Sequence, residues 1–184
     1  MRLAARERGL TLIELVVFIV IISAALAGVL RVFITATTSG ADPMLRRQAL
    51  AIAESLLEEV QLMPFTTCDP DDANVEAAAN AAACAALAEG AGAEPGETRL
   101  ATPQFDNVND YHGYMTAGIT DITGSAVPGL AGYSASVSVG NAELGSIGAA
   151  SGDALRITVT VTGPGGTSVS LDGYRTRHAP NSTL

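Results

Sequence analysis

The 184-residue chain has no tryptophan, two histidines, two cysteines, and only four phenylalanines and four tyrosines. Its basic residues are all arginine; lysine is absent. Each shortage removes a class of function. His112 and His178, with Cys68 and Cys84, do not fall at any Cys/His zinc spacing. No Ser/His/Asp grouping and no glycine-rich phosphate loop is present, so the sequence assigns no catalytic residue, no metal site and no cofactor. Ten basic residues face 19 acidic ones, for a formal charge of −9. That balance lacks the basic patch on which nucleic-acid binding relies, and nucleic acid is set aside as a partner. Few large aromatics and 19 glycines imply a thin core with many turns, more like a small β domain than a disordered tail.

Long apolar runs are also scarce, with one exception at the N-terminus. Residues 1–9 form a short basic leader holding Arg2, Arg6, Arg8 and Glu7; without them the remainder carries −11. Leu10-Thr11-Leu12-Ile13-Glu14 follows, and then 16 uncharged residues from Leu15 to Leu30. A helix over Leu10–Leu30 covers roughly 30 Å, the thickness of a bilayer core. The arginines before it place the leader on the cytoplasmic side and the body outside. Two alternatives compete. Ala25-Leu26-Ala27 has the form of a signal-peptidase site, which would make this an ordinary secreted β domain starting at Gly28. A plain single-span anchor is the other. Glu14, a charge inside the apolar segment, speaks against the first.

The leader, Gly9, the Thr11-Leu12-Ile13-Glu14 string and the apolar run together resemble the class III signal of type IV pilins and type II secretion pseudopilins. The family usually has Phe where this chain has Leu10. The resemblance implies that prepilin peptidase cuts between Gly9 and Leu10 and that Leu10 is then N-methylated. It also implies that Glu14 meets the freed amine of a neighbouring subunit during assembly. The energetics are compatible. A charge deep in a membrane helix costs roughly 2.5–3.5 kcal/mol. A carboxylate and an ammonium about 4 Å apart attract by about 4 kcal/mol at an effective dielectric near 20. Near-cancellation makes such a pair a device for docking register more than for affinity.

Beyond the anchor, a helix is expected to about Thr38 and a break over Ser39-Gly40-Ala41-Asp42-Pro43. A second helix is expected over about Pro43–Met63, ended by Pro64, with an apolar stripe of Leu45, Ala49, Ile52, Leu56, Val60 and Met63. Arg46, Arg47, Glu54, Glu58 and Glu59 lie mostly off it. Residues 66–104 are irregular, and the alanine-rich stretch 77–89 is a helix candidate on propensity alone. Cys68 and Cys84, an even pair in an exported chain, read as a disulfide closing a 17-residue loop; two unpaired buried thiols are the alternative. Asp69–Asn74 and Asp106–Asp110 gather oxygen ligands as calcium loops do, but neither fits an EF-hand, and both are taken as solvated turns. Tyr111-His112-Gly113 reads as a turn, with a pocket lining as the alternative.

The C-terminal part alternates with period two. Tyr133, Ala135, Val137 and Val139 interleave with serines; Leu155, Ile157, Val159 and Val161 interleave with Arg156 and threonines. Gly163–Gly166 is a turn, and Thr167–Tyr174 returns as a hairpin partner. Such strands form an antiparallel sheet wet on one face, with the amphipathic helix covering the other. Residues 179–184 read as a tail, in which Asn181-Ser182-Thr183 matches a glycosylation sequon.

Several stretches resemble the minor pilins of the mannose-sensitive haemagglutinin pilus, the MshD type. They are Asp42-Pro43-Met44, the run Gln48–Glu59, Pro64-Phe65, Phe105–Gly113 and Tyr133–Val139. The resemblance implies an α+β, type IV pilin-like fold: a long N-terminal helix whose second half packs on a C-terminal antiparallel sheet. The expected domains are a leader (1–9), a membrane and filament-core helix (10–38) and a periplasmic or extracellular head (43–184). The implied partners are prepilin peptidase, other pilin subunits and the inner membrane before assembly. The implied role is a non-enzymatic subunit that starts or tips an extracellular pilus, with a minor pseudopilin of type II secretion as the alternative.

Overall fold

The computed structural model describes residues 11–178, with residues 35–42 described by their backbone only. The tail and its sequon lie outside the described residues. Helix α1 runs from Leu12 to Leu62, 51 residues without interruption. The break expected at 39–43 is therefore corrected: Pro43 sits inside the helix. Proline removes one hydrogen bond and costs about 3 kcal/mol in a helix interior. Helix nucleation is costly, so propagating through one defect competes well with stopping and nucleating again. The chain nevertheless divides into two units at Pro43 and Met44, and each is described by itself.

The second unit is built on four antiparallel strands, β1 (Met115–Ala117), β2 (Ser134–Asn141), β3 (Ala154–Thr162) and β4 (Ser168–Thr176), in sequential order. The register aligns the apolar sets in rungs. Ala135 pairs with Val161 and Val161 with Val169; Val137 pairs with Val159 and Val159 with Leu171; Val139 pairs with Ile157 and Ile157 with Gly173. A strict two-residue side-chain period puts all of these on one face. Ser134 and Thr162, and Thr160 and Ser170, pair hydroxyls across the other face. The three-residue β1 was not expected, since Met115-Thr116-Ala117 is too short to display a period.

The part of α1 after Pro43 covers the apolar face. Ala49, Ala53, Leu56 and Val60 are its buried positions, at spacings of 4, 3 and 4. Leu45, Ile52 and Met63, expected in the stripe, are only partly buried at the margin. Small residues on both sides permit close approach. A Cβ added at Gly173 would lie 2.3 Å from Gln61 Nε2 and 2.9 Å from Leu57 Cδ1.

Gly163, at the end of β3, is a second close contact. A Cβ there would lie 2.4 Å from Cε1 and 2.6 Å from Cδ1 of Tyr133, a buried ring whose hydroxyl donates to Gln48 Oε1 of α1 at 2.8 Å. The ring is held at both ends and cannot swing aside. Gly163→Ala is therefore expected to destabilise the protein by roughly 1–3 kcal/mol, as overpacking does. Urea unfolding of the two proteins checks this, and equal midpoints would contradict it.

Residues 77–89 are not the expected helix. Only Ala81–Ala83 form a single 3-10 turn. A tertiary competitor outweighs alanine propensity here. Asp72 Oδ1 accepts from the amides of Asn74 and Ala85, and Oδ2 from those of Ala86 and Leu87. Those amides are unavailable to a helix. Cys68 and Cys84 are joined as a disulfide with Cα atoms 5.7 Å apart, which folds the segment back on Cys68, Val75 and Ala78.

Candidate functional site

Two places in the chain carry functional chemistry, one in each unit. In the first unit, Leu12–Ile34 is a 23-residue stretch of helix long and apolar enough to cross a membrane, and none of it is buried within the protein. Leu15, Phe18, Ile22, Leu26 and Val29 are all at least 48% exposed, so this apolar surface awaits lipid or other helices. Thr11 caps the helix: its Oγ1 accepts the Glu14 amide at 3.3 Å. Thr11 and Glu14 thus have the spacing of a capping box, with Glu14 at the third helical position, where a carboxylate also faces the positive end of the helix dipole. The T-x-x-E spacing is visible in the sequence, and this capping role went unread there. Gly9 and Leu10, the expected cleavage and methylation positions, lie outside the described residues.

In the second unit, three irregular stretches bring carboxylates together. A short antiparallel bridge pairs Cys68 with Ala88, and the Asp69 amide donates to the Leu87 carbonyl. Asp69 and Glu89 are thereby brought to one place. The Gly92 amide donates to the Asn109 carbonyl, which sets the 92–97 loop beside the turn Val108–Tyr111. Gly92 holds φ +91°, a conformation that other residues rarely adopt. The result is three interlocking groups: Asp69, Asp71 and Asp106; Asp69, Glu94 and Glu97; and Glu89, Glu94 and Asp110. Within each group one carboxylate oxygen per residue lies within 4.8 Å of the others.

The reading of Asp69–Asn74 and Asp106–Asp110 as solvated turns is corrected. Asp69 is 3% exposed, Asp72 4% and Asp110 1%. Burial is the main cause that pushes the Glu89 carboxyl up to about 9, with the charge of Asp110 next. Burial likewise raises Asp106 to about 6, helped by the charge of Asp69. Asp69, Glu97 and Asp110 are all raised above the usual carboxylate range, again chiefly by burial. Asp72, in contrast, is held well below that range by the amides of Leu87, Ala85 and Ala86. It is a structural clamp and not a member of the groups. The contributions of Glu89, Glu94 and Glu97 went unseen in the sequence, because nothing local signals that these residues converge with Asp69 and Asp110.

A cleft of about 590 Å³ lies between α1 and residues 114–130, lined among others by Ile52, Leu56, Glu59, Tyr114, Ile119 and Leu130. Neither histidine lines it. Tyr111 is buried, and its hydroxyl donates to Glu59 Oε1 at 2.8 Å. His112 Nδ1 accepts the Val139 amide at 3.2 Å, so this segment is a structural turn and not a pocket wall.

Comparison with known proteins bears on the first unit. No curated protein and no solved structure matches the chain. Residues 4–30 match the prokaryotic N-terminal methylation motif, a stretch that takes in Gly9, Leu10, Thr11 and Glu14. The match supports a type IV pilin-like chain, pilin or pseudopilin, and points to a structural subunit rather than an enzyme. With a long apolar N-terminal helix, an amphipathic helical continuation and a four-stranded antiparallel sheet, the architecture is α+β and pilin-like.

Proposed function

We propose that the chain is a minor pilin of a type IV pilus of the mannose-sensitive haemagglutinin kind. Prepilin peptidase removes residues 1–9 by cutting between Gly9 and Leu10, and Leu10 is N-methylated. The apolar helix then holds the subunit in the inner membrane with the head, residues 43–184, in the periplasm. Assembly moves that helix into the filament core beside other pilin subunits, and the head becomes extracellular. A place at the start or tip of the filament suits a low-abundance subunit.

The observation that carries this reading is the continuity of leader, glycine, Thr11–Glu14 string and membrane-length helix across the matched residues 4–30 and on to Ile34. Glu14 lies one turn into the helix, where the freed amine of a neighbour can reach it. The two opposing energies derived above nearly cancel, so the pair selects a register. Glu14→Val is expected to leave membrane insertion intact and to reduce incorporation into pili at least tenfold, read by immunoblot of sheared filaments. Unchanged incorporation would refute the docking role. Mass spectrometry of the natural product should find methylated Leu10 at its start; a start at Gly28 would mean ordinary secretion instead.

The motif serves pseudopilins equally well, so a minor pseudopilin of type II secretion is the second reading. Cross-linking in cells separates the two by whether pilus or secretion subunits are recovered.

A further inference from the structure

We propose that the head binds calcium where residues 69–71, 89–97 and 106–110 converge, and that the ion ties these three stretches together. The proposal does not depend on the pilin reading. Seven carboxylates, Asp69, Asp71, Glu89, Glu94, Glu97, Asp106 and Asp110, line this region in three overlapping groups of three, each group joining two of the stretches. Asp69 and Glu94 each belong to two of the three groups, so the groups are contiguous.

A cluster of acids alone is no site, but this one has buried acceptors with nothing to accept. Asp110 is 1% exposed. Its Oδ2 takes the amides of Asp106 and Asn107 at 2.9 and 2.7 Å, while Oδ1 is buried without a partner. That leaves Oδ1 as the oxygen available to meet Glu89 and Glu94. Both Glu89 oxygens are also buried without partners, as are Glu94 Oε2, Glu97 Oε2 and Asp106 Oδ1. Arg99 pairs with Glu59 and Arg177 with Asp153; neither is within ion-pair distance of the seven, and Arg177 reaches Glu89 only through its charge. A buried carboxylate oxygen without a partner is costly, and several together more so. A proton on Glu97 can be donated to Glu94, but each proton answers one oxygen and leaves the others without a partner. A cation answers several at once.

The donor set selects the cation. All donors are hard oxygens, with no nitrogen or sulfur, which fits calcium or magnesium rather than zinc or copper. Oxygens on opposite sides of a calcium ion stand roughly 5 Å apart, against roughly 4 Å for magnesium, which also demands a near-octahedral shell. Donors supplied by three irregular stretches suit the larger ion, whose shell tolerates uneven geometry.

The test uses the full chain in detergent, stripped with chelator, titrated with calcium chloride and, separately, with magnesium chloride. Calcium at about a hundredfold above its Kd should raise the melting temperature by roughly 5 °C or more, with a calorimetric binding isotherm. Magnesium at the same concentration should do far less. Glu94→Gln with Asp110→Asn should weaken calcium binding at least tenfold. Metal-free, this variant should melt no lower than wild type, because like charges have been removed. Should it fail to fold, Asp71→Asn with Glu97→Gln, both on less buried residues, carries the same expectation. Absence of a shift and of binding heat at millimolar calcium overturns the site. An equal response to magnesium overturns the calcium assignment, and an undiminished shift in a folded variant overturns these ligands.

Discussion

Glu59→Ala lowers the stability of the protein by roughly 3 kcal/mol, the low end of what breaking a buried ion pair costs. Glu59 sits on α1 and ties two other segments to it. Its Oε1 takes Arg99 Nε at 2.6 Å and the Tyr111 hydroxyl at 2.8 Å; Oε2 takes an Arg99 NH2 donor at 2.7 Å. The Arg99 side chain is 9% exposed and that of Glu59 19%, so the pair is only partly screened. Removing the carboxylate leaves a guanidinium with little water and a buried phenol with no acceptor. Arg99 also lies 5.8 Å from the centre of the Tyr114 ring, and Tyr114 packs edge-on against Phe105 and Tyr111. The damage therefore reaches the aromatic cluster. Glu59→Leu combined with Arg99→Met should recover the part of the loss due to the stranded guanidinium, because two apolar side chains replace two charges; the Tyr111 hydroxyl still lacks its acceptor. Urea unfolding of the wild type and the two variants measures this; a double variant as unstable as Glu59→Ala would show that packing and not charge was lost.

The same pair predicts a pH dependence. Burial raises the Glu59 carboxyl, but the Arg99 and Tyr111 hydrogen bonds and the Arg99 charge together outweigh it and hold it below its usual value. A group with a depressed folded pKa contributes stability above its unfolded value, about 4.3 for a glutamate, and loses it as pH falls through the folded one. The gap between wild type and Glu59→Ala should be full at neutral pH and shrink below about pH 4.

None of this was legible in the sequence, where Glu59 was one of several charges placed off the apolar stripe. The legible parts are those with a repeat. Strands β2 and β3 follow from alternation over seven or more residues, β4 from the turn at Gly163–Gly166 that returns the chain beside β3, and the stripe from spacings of three and four. The register is seen only in the structure, where a one-residue slip would turn Val137, Val159 and Val169 to water. Pro43 misled because a local breaker was weighed without the helix on either side of it. The alanine-rich segment misled because propensity is a weak prior, and one side chain, Asp72, captured three of its amides. The candidate sites divide in the same way. The N-terminal motif is contiguous and could be read. The acidic groups join residues from 69 to 110 through single backbone bonds that leave no periodic trace.

Loss of the Cys68–Cys84 disulfide should lower stability by about 3 kcal/mol, the chain-entropy value for a loop of this length. For a protein of this size that is a fall in melting temperature of roughly 10 °C. Cys68→Ala with Cys84→Ala is the test, with melting in reducing agent as its companion. The disulfide does not act alone on its loop. Asp72 lies inside the loop and binds the amides of residues 85–87, just beyond Cys84. Both devices restrain the same segment, so their effects should not add. With the disulfide present, Asp72→Ala frees four amides within a chain that is still closed. Without it, the same substitution opens the segment, and the combined loss should exceed the sum of the two separate losses. The coupling also reaches the acidic groups, because the bridge between Cys68 and Ala88 is what places Asp69 near Glu89. Opening the disulfide lets these acids separate, which relieves their repulsion and dissolves the arrangement proposed to hold calcium. Reduction should therefore weaken calcium binding in the same titration. A melting temperature indifferent to reducing agent would mean that Asp72 and the Cys68–Ala88 bridge close the loop unaided, and the cost of opening it should then appear only in the combined variant.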